Sequence, residues 1–309
     1  MKDNPTKNGY ETPELRNTIR RACELADLDA HGARLIHQYD NAVYLLPAEN
    51  AVARLQQGAQ VPNRAATSLG ITRWLVDDHD FPATAPLPQS EPIAVDETTT
   101  ATFWIYYPQR DNGHRPTSGH LGELVRRLHN MPRPTIELPR WTPLSSLETA
   151  LCAPSILTVM DSEDQRWLLD HIRHVRRELD GLDWPLGWGL VHGDAWAGNL
   201  LWNHAQGPEC TVLGDWDSVC WGPREIDLIP SLHAARRYGR GPAWAQAFAD
   251  AYGYDLSRWP GHVPLLAMRD LVQIAGPLRR AATEPVLAQA LRQRIDGIRN
   301  DDAAPWREF

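Results

Sequence analysis

Asp194, Asn199 and Asp215 are the side chains whose types and spacing point most directly to chemistry. Asp194 and Asn199 stand five residues apart in the stretch VHGDAWAGN (191–199), and Asp215 follows sixteen residues after Asn199 in Gly214-Asp215-Trp216-Asp217. Phosphoryl transfer asks little covalent work of a protein. It needs a carboxylate to hold the attacking hydroxyl, oxygen ligands for Mg²⁺ on the phosphates, and cations against the developing charge. Asp194, Asn199 and Asp215 supply the first two in the order D-x-x-x-x-N, then a further aspartate. A rival reading takes His192, Asp194, Asp215 and Asp217 as ligands of a two-metal phosphoesterase. Such sites want several histidines in close motifs, whereas His204, His233 and His262 stand alone.

These residues need a hairpin to carry them. Leu200-Leu201-Trp202, a turn over Asn203 to Pro208, and Thr211-Val212-Leu213 provide one. Helical stripes surround it: Leu121, Leu124 and Leu128 before it, then Leu168, Ile172, Val175 and Leu179 in a helix ending at Gly181. After Asp227 come the stripes Trp244, Phe248, Tyr252 and Leu287, Leu291, Ile295, Ile298. Bland readings stand beside the sharp ones: Asp227 as a helix cap, Asp217 as a turn residue, Glu225 as a surface charge, Trp196 and Trp202 as packing.

The first half reads differently. An amphipathic helix carrying Leu15, Ile19 and Cys23 starts behind Thr12-Pro13-Glu14. Arg34 to His37, Ala42 to Leu46 and Ala51 to Leu55 then form an antiparallel meander. A helix from about Asn63 to Asp77 follows, then the proline-rich, extended FPATAPLPQSEP (81–92) and a buried strand in Thr100 to Tyr107. The turn-rich stretch from Asp111 to Gly119 comes next, and the lobe boundary falls near Pro108. Strands first and helices later predict an α+β chain in two lobes, 1–108 β-rich and 109–309 mainly helical, with a ligand cleft.

Composition narrows the partners. The formal net charge is −8, with no basic run, so nothing suits nucleic acid or an anionic membrane. A polar or cationic small molecule fits better. The four cysteines lack the CxxC pairing of a zinc site, and neither an apolar leader segment nor a membrane-spanning run of about 18 residues occurs. A soluble, cytoplasmic chain is expected. Lysine occurs only at Lys2 and Lys7, so a cation deep in a site must be arginine.

His192-Gly193-Asp194 with Asn199, then Val212-Leu213-Gly214-Asp215-Trp216-Asp217 and Gly222-Pro223 ahead of Asp227-Leu228, resembles the aminoglycoside phosphotransferase family, relatives of choline kinases and protein kinases. The resemblance implies a bilobal protein kinase-like fold, with Asp194 as catalytic base, Asn199 and Asp215 as Mg²⁺ ligands, and His192 and Asp227 as braces for the loop. An ordinary aspartate titrates near pH 4, so at neutral pH Asp194 orients the hydroxyl and accepts its proton late. Asp217 is a carboxylate behind the metal ligands or a turn residue.

The first half resembles the family less sharply. Asp40-Asn41-Ala42-Val43-Tyr44 and Ala51-Val52-Ala53-Arg54 match its phosphate-covering hairpin and third strand, so Arg54 stands where a lysine usually holds the nucleotide phosphates. Its bland reading is an outward-facing strand arginine. Backbone groups at Ile105, Tyr106 and Tyr107 match the adenine-binding hinge. Three departures stand out. There is no G-x-G-x-x-G loop, no glutamate beside Arg64-Ala65-Ala66-Thr67 to pair with Arg54, and a tryptophan at position 196 where protein kinases place a lysine.

The resemblance implies an ATP-dependent O-phosphotransferase using Mg²⁺, with GTP as an alternative donor. The leading acceptor is an aminoglycoside or related amine-bearing natural product. The alternatives are a metabolite kinase of choline, homoserine or thiosugar type, and a catalytically weak nucleotide-binding protein. In some family members the terminal carboxylate reaches the antibiotic, a part that Phe309 would take here. Trp306, Asp301 and Asp302 are otherwise read as a frayed tail.

Overall fold

A computed structural model describes residues 11–38, 41–88, 90–109, 114–302 and 304–307. In chain order α1 (Pro13–Leu25), β1 (Arg34–Gln38), β2 (Asn41–Leu46), β3 (Ala51–Gln57), α2 (Val61–Arg73), β4 (Ile93–Ala94) and β5 (Thr99–Ile105) come first. Next are α3 (Ser118–His129), α4 (Ser145–Leu151) and α5 (Ser162–Asp180). Short strands β6 (Trp188–Val191), β7 (Leu200–Trp202), β8 (Thr211–Leu213) and β9 (Cys220–Pro223) then lead to α6 (Ile229–Arg237), α7 (Pro242–Tyr252), α8 (His262–Val272), α9 (Ala275–Arg280) and α10 (Pro285–Arg299). The expected α+β architecture, strands before helices, is present.

Contacts divide the chain into two compact units. The first comprises Met1–Pro116, Pro134–Leu138 and Asn199–Val219, and the second Thr117–Arg133, Pro139–Gly198 and Cys220–Phe309. The division differs from a single break at Pro108, because the β7–β8 hairpin joins the first unit. Its physical link is the proline-rich connection: Leu213 donates its N–H to Pro82 O at 2.8 Å, and Thr84 N–H donates to Leu213 O at 2.9 Å. Prolines keep this segment extended, so its carbonyls and remaining N–H groups are free to pair with β8.

In the first unit the sheet order is β1-β2-β3-β5-β4, every neighbouring pair antiparallel. Thr12 caps α1 by accepting the Leu15 N–H, and Pro13 sits at the first helical position where its missing N–H costs nothing. Ile19, Ala22 and Cys23 on α1 bury against Tyr44, Leu46, Ala53, Leu55 and Phe103 of the sheet. Period-two alternation in β3 sends Ala53 and Leu55 into that core, leaving Arg54 and Gln56 on the opposite face. The helix expected from Asn63 is α2, prolonged by a π-helical turn over Trp74–Asp78.

In the second unit α5 buries all four predicted residues, Leu168, Ile172, Val175 and Leu179, behind an Asp161 cap that accepts from two backbone N–H groups. Helices α3 and α7 pack closely enough that a Cβ on Gly122 would lie 2.6 Å from Phe248 O. The pair β6–β9 is a two-stranded antiparallel ladder. Among the described residues no helix is long and apolar enough to cross a membrane. The tail reading needs correction: Trp306 is 5% exposed, with the guanidinium groups of Arg237 and Arg294 over its ring at 4.6 and 5.4 Å. Phe309 and Asp40 lie outside the described residues.

Candidate active site

Arg54, Ile105 to Tyr107, Asn199, Asp215 and Asp217 belong to the first unit. Arg54 sits at the centre of the sheet, opposite Val43 on β2 and Thr102 on β5. Its Nη2 donates to Asp215 Oδ1 at 3.1 Å and to Asp217 Oδ2 at 2.9 Å, and Gln56 Nε2 donates to Asp217 Oδ2 at 2.8 Å. Arg54 therefore finds its carboxylates after β8, where the sequence offered no helix glutamate. Burial alone would weaken its hold on the proton; Asp217 and Asp215 more than offset that and raise its pKa.

Asp215 adopts a left-handed backbone (φ 64°, ψ 61°), a conformation that aspartate tolerates better than bulkier residues. The turn around it is anchored on both sides. Gly214 N–H donates to Asn199 O at 2.9 Å, and the buried Trp216 donates its indole N–H to Leu213 O at 2.8 Å. The turn is tight at Gly214, where a Cβ would meet Thr84 Cγ2 at 3.1 Å.

The donor set fits Mg²⁺, which is held by one or two carboxylates together with substrate phosphates. Asp215 and the Asn199 carboxamide are hard oxygen donors, and the guanidinium already on Asp215 and Asp217 marks the turn as a place that receives positive charge. Among the described residues no three His, Cys, Asp or Glu side chains converge as a metal cage, which the two-metal phosphoesterase reading requires. In the stretch expected to form the hinge, Ile105 N–H donates to Ala85 O and Tyr106 N–H to Asn50 O, so both donors are engaged within the chain. The Tyr107 hydroxyl accepts the Ala85 N–H, and its carbonyl accepts from Gln109.

His192, Asp194 and Asp227 belong to the second unit. The loop after β6 is held by Asp227, whose Oδ2 accepts the His192 N–H at 2.7 Å and whose Oδ1 accepts the Gly193 N–H at 2.8 Å. His129 Nε2 lies 3.1 Å from the same Oδ2, and its Nδ1 lies 2.8 Å from the Tyr252 hydroxyl. Asp227 is thus a buried brace with three partners and does not cap α6, which has no side-chain cap. Gly193 takes φ 81°, a left-handed turn open to glycine, and swings Asp194 away from the buried His192.

The Asp194 side chain is 35% exposed, and Arg269 Nη1 of α8 lies 2.8 Å from its Oδ1. Trp196 is 42% exposed, and its indole folds over Gly198, where a Cβ would come within 2.1 Å of the ring. Trp202, in the first unit, is packing: it stacks on His114 at 4.9 Å and donates to the His114 carbonyl. Glu225 is fully buried and accepts the Leu186 N–H at 2.6 Å, so the surface-charge reading is wrong. Its neighbour Arg224 donates to the carbonyls of His129, Leu186 and Trp188, which fixes the start of β6.

A family model described as the phosphotransferase enzyme family (APH) matches residues 31–262, a span that includes Arg54, Asp194, Asn199 and Asp215. The chain belongs to the phosphotransferase enzyme family. No curated protein matches it in sequence. Among solved structures it is similar to a spectinomycin phosphotransferase in complex with ADP and spectinomycin, at 17% identity and TM-score 0.59, covering 91% of this chain and 93% of that one. It is similar also to an aminoglycoside 2″-phosphotransferase with GDP and kanamycin, at 13% identity and TM-score 0.64 over 93% and 99%. A microcompartment-associated aminopropanol kinase matches at 17% identity and TM-score 0.61 over 91% and 95%. The bilobal kinase-like fold and the assignment as a small-molecule kinase follow for this phosphotransferase.

Three residues of this phosphotransferase escaped the sequence and stand against predicted ones: Gln56 at Asp217, His129 at Asp227 and Arg269 at Asp194. Arg269 left a signal. It stands with Asp270 inside the apolar run of α8 among Leu265, Leu266, Met268 and Leu271, and charges buried in such a run require partners.

Proposed function

We propose that the chain transfers the γ-phosphate of ATP to a hydroxyl of a small molecule, with Asp194 as the base. The observation that carries this is the brace on the Asp194 loop, two backbone N–H groups locked onto a buried Asp227 carboxylate, which holds a half-exposed aspartate in one place. Positioning is the larger part of phosphoryl-transfer catalysis. Asp194 accepts the hydroxyl proton as the alcohol oxygen forms its bond to the γ-phosphorus; the bond from that phosphorus to the β–γ bridging oxygen breaks, and ADP departs with the electron pair. Asn199 and Asp215 would hold Mg²⁺, which neutralises charge on the phosphates when bound. Arg54 and its partner Asp217 sit beside that ligand pair, where a fixed guanidinium fork suits phosphate oxygens. Tyr107 is the hinge residue whose backbone N–H has no partner among the described residues, which favours it for adenine.

Two acceptor readings have support. The acidic balance, and neighbours crystallised with spectinomycin and kanamycin, favour an amine-bearing natural product. The aminopropanol kinase neighbour and the cation on Asp194 favour a metabolite alcohol. Asp194→Ala is expected to lower acceptor-dependent ADP release by about 10²- to 10⁴-fold while ATP binding is retained. ADP release of equal rate in both proteins, with a panel containing amine antibiotics, choline, homoserine and simple alcohols, rules the assignment out. ATP binding without any acceptor-dependent turnover is the mark of a non-enzymatic nucleotide-binding protein.

A further inference from the structure

We infer that Arg269 is a specificity-determining cation on the acceptor side. It selects hydroxyl acceptors that carry a carboxylate or another anionic oxygen next to the reacting hydroxyl, and disfavours polycations. The inference rests on Asp194 being the group that receives the hydroxyl.

Arg269 is 9% exposed and touches the one carboxylate in its unit assigned to the chemistry, at 2.8 Å. Its Nε is buried with no hydrogen-bond acceptor among the described residues. A buried guanidinium N–H without a partner is costly, so Arg269 carries donor capacity that the described residues leave unused. The fork geometry of arginine matches a carboxylate or phosphate oxygen pair, so an acceptor whose hydroxyl lies on Asp194 finds a donor for an adjacent anionic oxygen.

The cation is also fixed in place. The next residue, Asp270, accepts from Arg237 Nε at 3.0 Å and Nη2 at 2.6 Å, and lies 2.8 Å from His233 Nε2. Helix α8 is therefore pinned one residue from Arg269, and the guanidinium cannot withdraw by sliding the helix. A polycationic acceptor brings amines towards a fixed positive charge. An anionic acceptor meets the opposite: attraction at the site and a donor waiting for it.

The test uses three compounds with the same three-carbon hydroxyl scaffold and different charge: glycerate, glycerol and 1,3-diamino-2-propanol. Each is titrated calorimetrically into the full-length wild type, Arg269→Lys and Arg269→Gln. Wild type is expected to bind glycerate about tenfold or more tightly over the diamine. Arg269→Lys keeps the order with a smaller ratio, and Arg269→Gln brings the ratio to about twofold or less. Lysine at this position also guards against loss of folding, since it preserves the charge opposite Asp194. An equal response to all three compounds, including no response to any, overturns the inference, and so does a preference that survives in Arg269→Gln. The titrations need no turnover. A protein that discriminates glycerate through Arg269 yet releases no ADP loses the phosphotransferase assignment alone, whereas one that phosphorylates a polycation with charge-blind binding loses only the role of Arg269.

Discussion

Glu225 accepts a short hydrogen bond from Leu186, and its second carboxylate oxygen is buried with no partner among the described residues. Burial raises its pKa, with the Leu186 N–H and Arg224 pulling the other way. A carboxyl whose folded pKa exceeds its unfolded value of about 4.3 stabilises the fold below that pH, and the contribution disappears as pH rises through the folded pKa. Glu225→Gln, which stays neutral, should therefore gain on the wild type in melting temperature between pH 4.5 and pH 8. A difference independent of pH would show that the carboxyl is already ionised at no cost. Arg54 presents the reverse case. Its charge is retained because two carboxylates meet it, and no lysine elsewhere in the sequence could take its place.

Helix α3 approaches α7 at Gly122 with no room for a methyl group: a Cβ there would lie 2.6 Å from Phe248 O and 3.2 Å from Tyr252 N. Both obstacles are backbone, so relief requires one helix to move. Gly122→Ala is accordingly expected to destabilise the protein by about 1–3 kcal/mol, despite alanine's better helix propensity. Urea denaturation measures this, and an unchanged or higher midpoint would mean that the helices separate at little cost. The consequence reaches the Asp194 loop, because α3 carries His129 and α7 carries Tyr252, the two hydrogen-bonded residues behind the Asp227 brace.

The C-terminal segment closes the second unit. Trp306 lies among His233, Tyr238, Arg237 and Arg294, and Arg237 in turn holds Asp270 of α8. Replacing this side chain by alanine removes a large buried ring, and Trp306→Ala should cost on the order of 3–5 kcal/mol in unfolding free energy. A loss below about 1 kcal/mol would return the segment to the status of a tail. Such a network also ties α6, α8 and α10 together at the residue next to Arg269, so the placing of Arg269 depends on packing far along the chain.

The hairpin carrying Asn199 and Asp215, the meander containing Arg54 and the α5 stripe were legible because each is a local pattern: turn residues between alternating runs, or apolar residues at helical spacing. The same locality made Asp194, Asn199 and Asp215 visible as a spaced set. Pairings between distant residues were not. Asp215 and Asp217 as the partners of Arg54, the exchange of Asp227 from helix cap to loop brace, the burial of Glu225 and the arrival of Arg269 at Asp194 all join segments separated by tens of residues or more. Short-range spacing carries no information on which of many charges will meet once the chain is folded. The sequence determined which side chains could do chemistry, and the tertiary structure decided which counter-charges they would have, because only burial forces each charge to find one.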